Sequence, residues 1–275
     1  MPKRSGIVVG SKNFTEQLVL GELLAQYLGR VTALPIDKRF YLAGSYICHQ
    51  ALLAGRIDMY VEYTGTALVA ILKEKPASDH VAVFNTVKDL YSRRFGLEVF
   101  PSLGFDNTFA MVMRGADARR LHLKTLSDAA AISSQLRLGV GYEFLERPDG
   151  FKGLAATYNL KFAEAPRVMD LGLLYRALQN NQVDIVAGSN TDGLIAALDL
   201  VVLEDDQHYF PPYDAVPIVR RATLDRHPEI TGALTRLSGR ISADDMRRMN
   251  YAVDGEKKDA AAVAKDFLSR KSSLL

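Results

Sequence analysis

The chain has 275 residues, of which 48% are hydrophobic and 24% are charged. This composition predicts a packed core and not disorder, and the length suits two domains of ordinary size. The 34 Lys and Arg residues nearly balance the 32 Asp and Glu residues, so the chain lacks the basic excess of a typical nucleic-acid-binding protein. We therefore expect no nucleic acid among its partners.

Cysteine usage and hydropathy add two exclusions. Cys48 is the sole cysteine, which excludes an internal disulfide, and we expect it to pack in a helix as a small hydrophobic residue. No apolar run reaches the roughly 18 residues that a membrane-spanning helix needs. The residues after Met1 lead directly into a strand-like segment, without the apolar region of a secretory signal.

Short apolar segments alternate with amphipathic ones, a pattern typical of α/β layers with mostly parallel sheets. Asn13 is predicted to be the N-cap of the first helix, since Glu16 follows three residues later. In chain order we predict strand Ile7–Val9, helices Thr15–Leu28 and Ser45–Ala54, strand Ile57–Val61, the beginning of a helix at Ala67–Leu72, strand Phe109–Arg114, helix Leu126–Ile132, strand Leu136–Val140, helix Leu171–Asn180, strand Val183–Ala187, an extended segment Ala215–Arg220, and helices around Glu229–Leu237, Ala243–Val253 and Lys258–Leu268.

Two extended, turn-rich segments, Phe100–Asn107 and Leu203–Tyr213, are predicted to be crossovers between two domains. Residues 106–207 would then form an inserted lobe, while residues 1–105 and 208–275 form a discontinuous one. Such an arrangement has a hinge and a cleft, and clefts between domains are favoured ligand sites.

Two motifs in the first half of the chain are typical of binding loops. Lys12 lies between the first strand and its helix, where a helix N-terminus suits an anionic group; an ordinary surface turn is the alternative. Further on, strand alternation places Tyr60 and Glu62 on one face and Tyr63 on the other. Thr64 and Thr66 are candidates to cap the helix that follows.

Two more motifs lie in the second half. Arg147 precedes a Pro–Asp–Gly turn, and its planar guanidinium suits a carboxylate. The segment Asn190–Gly193 follows a predicted strand, and the double proline at 211 and 212 fixes the direction of Tyr213. The histidines show no metal-ligand spacing, and neither a nucleophile elbow nor a phosphate-binding glycine loop is present. We therefore predict no metal, no cofactor and no catalytic residue.

Taken in order, these motifs resemble the signature of the osmoprotectant substrate-binding proteins, which serve ABC transporters for glycine betaine, choline, carnitine and related compounds. The matching segments cover nearly the whole chain: Gly10–Gln17, Glu62–Thr66, Asp106–Phe109, Arg147–Gly150, Thr191–Gly193 and Phe210–Tyr213. The resemblance implies a type II periplasmic-binding-protein fold, in which two α/β lobes joined by two hinge crossovers close on a ligand.

The resemblance also implies how the ligand is held. Aromatic rings surround the quaternary ammonium, which has no N–H to donate but is attracted to ring faces, and a lysine and an arginine hold a carboxylate. The residues at the matching positions are Lys12, Tyr63, Thr66, Phe109, Arg147, Ser189 and Tyr213. Phe109 and Ser189 occupy positions where the family has tyrosines. Tyr142 and Phe144 are the candidates to supply the aromatic ring that is missing at Ser189.

We therefore expect a monomeric, non-enzymatic binding protein that delivers an onium compound to an ABC permease. Its expected location is the periplasm or the outer face of the membrane, with any signal sequence already removed. One alternative is the same scaffold binding a bulkier solute such as ergothioneine, and another is an enzyme on this fold. An effector domain of a transcription regulator is disfavoured, because the first strand begins too early for a helix-turn-helix segment.

Overall fold

The computed structural model describes residues 6–271, which fold into two β-sheets with helices packed against them. The first part of the chain contains β1 (Ile7–Gly10), α1 (Thr15–Thr32), β2 (Ile36–Arg39), α2 (Ser45–Leu53), β3 (Met59–Tyr63), a π-helix (Thr66–Ile71), α3 (His80–Phe95) and β4 (Leu97–Val99).

The middle part contains β5 (Phe109–Arg114), α4 (Gly115–Arg120), α5 (Leu126–Ala131), a 3₁₀ turn (Ser133–Gln135), β6 (Leu138–Val140), α6 (Tyr142–Glu146), α7 (Phe151–Tyr158), β7 (Arg167–Val168), a second 3₁₀ turn (Leu171–Leu173), α8 (Leu174–Gln179), β8 (Ile185–Ser189), α9 (Leu194–Ala197) and β9 (Leu200–Leu203). The last part contains β10 (Ala215–Arg220), α10 (Arg221–Leu224), α11 (Glu229–Leu237), α12 (Ala243–Asp254) and α13 (Ala260–Arg270).

The strand order separates the chain into two lobes. The first sheet has the order β2–β1–β3–β10–β4, and the second has the order β7–β6–β8–β5–β9. The chain therefore passes from the first sheet to the second between β4 and β5 and returns between β9 and β10. Both predicted crossovers fall on these connections, and the predicted two-lobed α/β fold is confirmed.

The expectation of mostly parallel sheets is wrong. β1 and β6 have parallel neighbours, but β10 runs antiparallel to β3 and β4, and β5 runs antiparallel to β8 and β9. β5 is the first strand after the chain crosses to the second sheet, and β10 is the first strand after it returns to the first sheet. They follow an extended segment and not the helical crossover that parallel neighbours require, so they enter reversed.

Helix α1 packs its apolar side against the first lobe, with Leu20, Leu23 and Leu24 fully buried. Its N-cap is Phe14 and not Asn13, and no side chain caps this end. Burying three leucines stabilises the lobe by roughly 1.5–3 kcal/mol for each side chain, which outweighs the missing cap.

Cys48 is fully buried in α2, packed with the apolar residues of the first lobe as predicted. Burial raises the pKa of its thiol to about 12, so the thiol stays protonated at neutral pH. Within residues 6–271, none of the helices combines the length and the hydropathy needed to cross a bilayer.

The two crossovers lie side by side and hydrogen-bond to each other. Asn107 N donates to Tyr213 O at 3.0 Å, and Asp106 and Asp214 form an isolated antiparallel bridge. Thr64 does not cap a helix, contrary to the prediction; its hydroxyl donates to the backbone oxygen of residue 212 at 3.1 Å and accepts from Asp214 N at 3.0 Å. The end of β3 is thereby tied to the returning crossover that carries Tyr213.

Candidate ligand-binding site

Lys12 is buried in the loop between β1 and α1. Its Nζ donates a hydrogen bond to Ser45 Oγ at 3.0 Å and forms an ion pair with Glu62 Oε1. The same nitrogen lies 4.6 Å from the centroid of the Tyr63 ring. Tyr60 OH donates to the other Glu62 oxygen at 3.0 Å, as the predicted shared face of β3 requires. Lys12 is therefore a buried cation over an aromatic ring, and the alternative of an ordinary surface lysine is wrong.

Tyr63 ends β3 and is held at its hydroxyl by the first turn of α1. The hydroxyl donates to Glu16 Oε1 at 2.6 Å and accepts from Gln17 Nε2 at 3.1 Å. Burial raises the pKa of Glu16, although its side-chain hydrogen bonds oppose the shift. Because the hydroxyl is fixed at one end, the ring is held in place with one face toward Lys12.

Phe109, Arg147 and Tyr213 form a second group. The rings of Phe109 and Tyr213 meet edge to face, with centroids 5.5 Å apart. The guanidinium carbon of Arg147 lies 4.9 Å from the Phe109 centroid and 5.8 Å from the Tyr213 centroid. Two rings, one from β5 and the other from the returning crossover, thus share a position that accepts a planar cation.

Asp149 orients this second group. Arg147 donates Nε to Asp149 Oδ1 at 2.9 Å and Nη2 to Oδ2 at 2.5 Å, and Tyr213 OH donates to Oδ2 at 2.7 Å. Burial alone would lower the pKa of Arg147, but the charge and hydrogen bonding of Asp149, together with the neighbouring Tyr213 and Glu143, outweigh it and the pKa is raised. Among residues 6–271, Arg147 Nη1 has no hydrogen-bond partner, so this edge of the guanidinium is available to a ligand.

Each of the two cations of the site is paired with a carboxylate of the protein. The ion pairs Lys12–Glu62 and Arg147–Asp149 bury all four side chains, none of which is more than 5% exposed. Each cation is therefore already compensated before a ligand binds. Burying a further net charge beside these pairs would cost desolvation energy without a counter-charge, whereas a zwitterion brings its own.

Ser189 ends β8 and pairs directly with Phe109 on the neighbouring strand. Its backbone N–H donates to Asp192 Oδ2 at 2.9 Å. Phe144 is buried and packs edge to face on Phe109, with centroids 4.9 Å apart, whereas Tyr142 is 69% exposed. Of the two candidates to replace the missing ring, Phe144 therefore lies against the aromatic group.

Thr66 is buried at the start of the π-helix, beside Gly65. A Cβ on Gly65 would lie 2.8 Å from Cδ1 of Tyr213, so only glycine allows the backbone to approach this ring so closely. The close approach predicted for Gly65 is present. The Thr66 hydroxyl makes no side-chain hydrogen bond with the described residues, and its role as a ligand donor remains a prediction.

Glu16, Glu62 and Asp149 are the residues of the site that the sequence analysis did not single out as ligand-site residues. A signal for Glu62 was present, because a carboxylate inside an apolar strand needs a buried partner. Asp149 is the residue of the Pro–Asp–Gly turn, where a turn role alone explains it, and Glu16 suits a helix N-terminus equally well. Glu16 and Glu62 each have a partner far away in the sequence, which only the fold identifies, whereas Asp149 pairs with Arg147 two residues before it.

Two α/β lobes, paired crossovers, and aromatic rings accompanied by buried ion pairs define a solute-binding protein of the two-lobed type. The chain belongs to the family described as the substrate binding domain of ABC-type glycine betaine transport systems, whose profile matches residues 5–270.

The chain is also similar to individual proteins that are described as binding proteins of such transporters. The carnitine transport binding protein OpuCC of Listeria monocytogenes is 35% identical over 96% of this chain and 86% of its own length. The ergothioneine transport permease and binding protein EgtU of Helicobacter pylori is 37% identical over 96% of this chain but only 47% of its own length. A crystal structure described as a glycine betaine/carnitine/choline ABC transporter superposes with a TM-score of 0.81 at 34% identity, covering 98% of this chain and all of that one (100%).

Proposed function

We propose that this chain captures a betaine, a compound with both a trimethylammonium group and a carboxylate, and delivers it to an ABC permease. The observation that carries the proposal is the cation position shared by Phe109 and Tyr213, against which the guanidinium of Arg147 lies. Ring faces arranged to accept a cation suit a trimethylammonium group, which cannot be recognised by hydrogen bonds from its nitrogen.

The internal ion pairs support a zwitterion over a net cation. Because Glu62 and Asp149 already neutralise Lys12 and Arg147, a betaine adds no net charge to the buried site. Its carboxylate is expected at Arg147 Nη1 and near Lys12, and its cationic head against Tyr63, Phe109 and Tyr213. The names of the relatives favour the same class, since carnitine and ergothioneine are both trimethylammonium betaines.

The division into lobes belongs to the same proposal. Residues 1–105 and 208–275 would form one lobe and residues 106–207 the other, closing by rotation at the paired crossovers. Only contacts that are absent in the open form can drive closure. The chain would act as a monomer outside the cytoplasmic membrane, whether free, tethered or fused to the permease, and without catalytic activity.

Calorimetric titration of protein that was unfolded and refolded to remove carried-over ligand tests this proposal. Glycine betaine, carnitine and ergothioneine are compared with choline, which lacks the carboxylate. The tert-butyl analogue of glycine betaine, in which carbon replaces nitrogen, is the control for charge. We expect at least one betaine to bind more tightly than choline, and the analogue not to bind. Equal binding of the analogue, or silence across the panel, would contradict the proposal.

A further inference from the structure

A second polar cluster lies at the hinge, where the two crossovers run side by side. It consists of His80, the first residue of α3, with Asp106 on the outgoing crossover and Asp214 on the returning one. One ligand-type atom from each of the three residues lies within 4.8 Å of the other two. His80 Nδ1 is 2.8 Å from Asp214 Oδ2. Three segments that are distant in sequence therefore bring a ring nitrogen and two carboxylates to one point.

The surroundings of this hinge cluster favour a cation. A cleft of about 540 Å³ adjoins it and is also lined by Glu204, Asp205 and His208, while no Lys or Arg is among its lining residues in the described chain.

The cluster also has an ordered side and an open side, as a metal site needs. Asp106 Oδ2 accepts a hydrogen bond from Tyr213 N at 2.6 Å, and Asp214 is tied through its own N–H to Thr64 Oγ1 at 3.0 Å. The His80 side chain is 58% exposed, so an ion can enter from solvent. The carboxylate of Asp106 is thus held by a backbone N–H, the backbone of Asp214 is fixed at Thr64, and the imidazole can rotate onto an ion.

We propose that His80, Asp106 and Asp214 bind a divalent transition-metal ion, of which zinc is the type, and that this ion bridges the two crossovers behind Tyr213. Zinc takes imidazole nitrogen and carboxylate oxygen at about 2.0–2.2 Å, so two ligand atoms on a tetrahedral ion lie about 3.3 Å apart. Small side-chain rotations bring the present cluster to that spacing. Solvent supplies the fourth ligand.

The spacing of histidines along the chain gave no indication of a metal site. The three proposed ligands come from separate segments, so a local spacing pattern cannot detect them. The proposed site does not depend on the identity of the transported solute. It would be present in protein that contains no solute at all.

Titration of the ligand-free chain with zinc chloride, in a buffer without chelators, tests the site. We expect one zinc ion per chain and a higher melting temperature in its presence. His80→Ala and Asp214→Asn are expected to weaken zinc binding by more than about tenfold. Substituting a residue that only supports a metal ligand already costs about tenfold in affinity, and these two substitutions remove ligands. Calcium is expected to bind more weakly, because it requires six to eight oxygen ligands.

His208→Asn is the matched control, since His208 lines the same cleft outside the cluster and asparagine tolerates its positive φ of 53°. This variant should bind zinc as the unchanged chain does. Circular dichroism confirms that each variant is folded. Absence of zinc binding, or a preference for calcium over zinc, would overturn the proposal. It would also be overturned if the His80→Ala and Asp214→Asn variants bound zinc as tightly as the unchanged chain, which would indicate an adventitious ion only.

Discussion

The hydroxyl of Thr191 donates a hydrogen bond to Oε2 of Glu16 at 2.6 Å and joins the second lobe to the first. The same oxygen accepts from Asn250 Nδ2 at 3.0 Å, which also donates to Thr191 O at 2.9 Å. The other oxygen, Oε1, accepts from Tyr63 OH and from Asn107 Nδ2, each at 2.6 Å. One buried carboxylate therefore connects an aromatic ring of the binding site, a crossover and the opposite lobe.

Thr191→Val tests this connection, because valine keeps the shape and removes the donor. Burial leaves no water to replace the lost hydrogen bond, so we expect a loss of about 1–3 kcal/mol in the free energy of unfolding. Betaine affinity should also fall, since we expect this contact between the lobes to stabilise the closed form. Denaturant unfolding and calorimetry measure the two effects. Thr157→Val, on the exposed side of α7, is the control and should change stability by less than about 0.5 kcal/mol.

Asp192 predicts a pH dependence of stability. Burial raises the pKa of this carboxyl to about 7, against an ordinary value of 3.8. The folded chain then binds a proton that the unfolded chain has released. This contribution to stability is full below pH 3.8 and is lost as the pH rises toward 7.

Asp192→Asn removes that titration while its amide oxygen can still accept from Ser189 N and Tyr175 OH, both of which bond to Oδ2. Between about pH 5 and 8, the free energy of unfolding should fall less with rising pH in this variant than in the unchanged chain. Exposed Asp225 supplies the control, Asp225→Asn. Parallel pH curves for the Asp192 variant and the unchanged chain would show that Asp192 does not titrate in this range.

Arg147→Lys separates charge from geometry. Lysine keeps the positive charge but cannot reproduce the fork that grips Asp149 and leaves Nη1 for a carboxylate. Loss of one charged hydrogen bond is expected to weaken betaine binding by about 10- to 150-fold. Choline has no carboxylate, so its affinity should decrease less in this variant. Exposed Arg176→Lys controls for the substitution itself, and equal losses for betaine and choline would remove Arg147 from the carboxylate end.

Local patterns predicted the parts of this fold that depend on neighbouring residues. Alternation along β3 correctly placed Tyr60 and Glu62 together, and the proline pair before Tyr213 marked the returning crossover. The ion pair between Lys12 and Glu62 joins residues 50 positions apart. No local pattern contains such a pair, so the compensation of the Lys12 charge became visible only in the folded chain.

The strand directions illustrate the same limit. The order of strands and helices along the chain is the same whether β5 and β10 run parallel or antiparallel to their neighbours, so alternation alone favoured the commoner parallel arrangement. Likewise, a serine at position 189 reveals a missing ring, but not that Phe144 lies on the neighbouring Phe109. Both outcomes are set by packing between segments and not by local sequence.

Tyr63→Ala, titrated with the tightest-binding betaine, tests the central claim that ring faces hold the cationic head. Removing one well-placed ring should weaken binding by about 2- to 30-fold, corresponding to the roughly 0.5–2 kcal/mol of a cation–ring contact. Tyr142→Ala is the matched control, because its side chain is 69% exposed. We expect a loss of that size for Tyr63→Ala and an unchanged affinity for Tyr142→Ala, whereas equal affinities of the two variants would show that the ring of Tyr63 does not hold the cationic head.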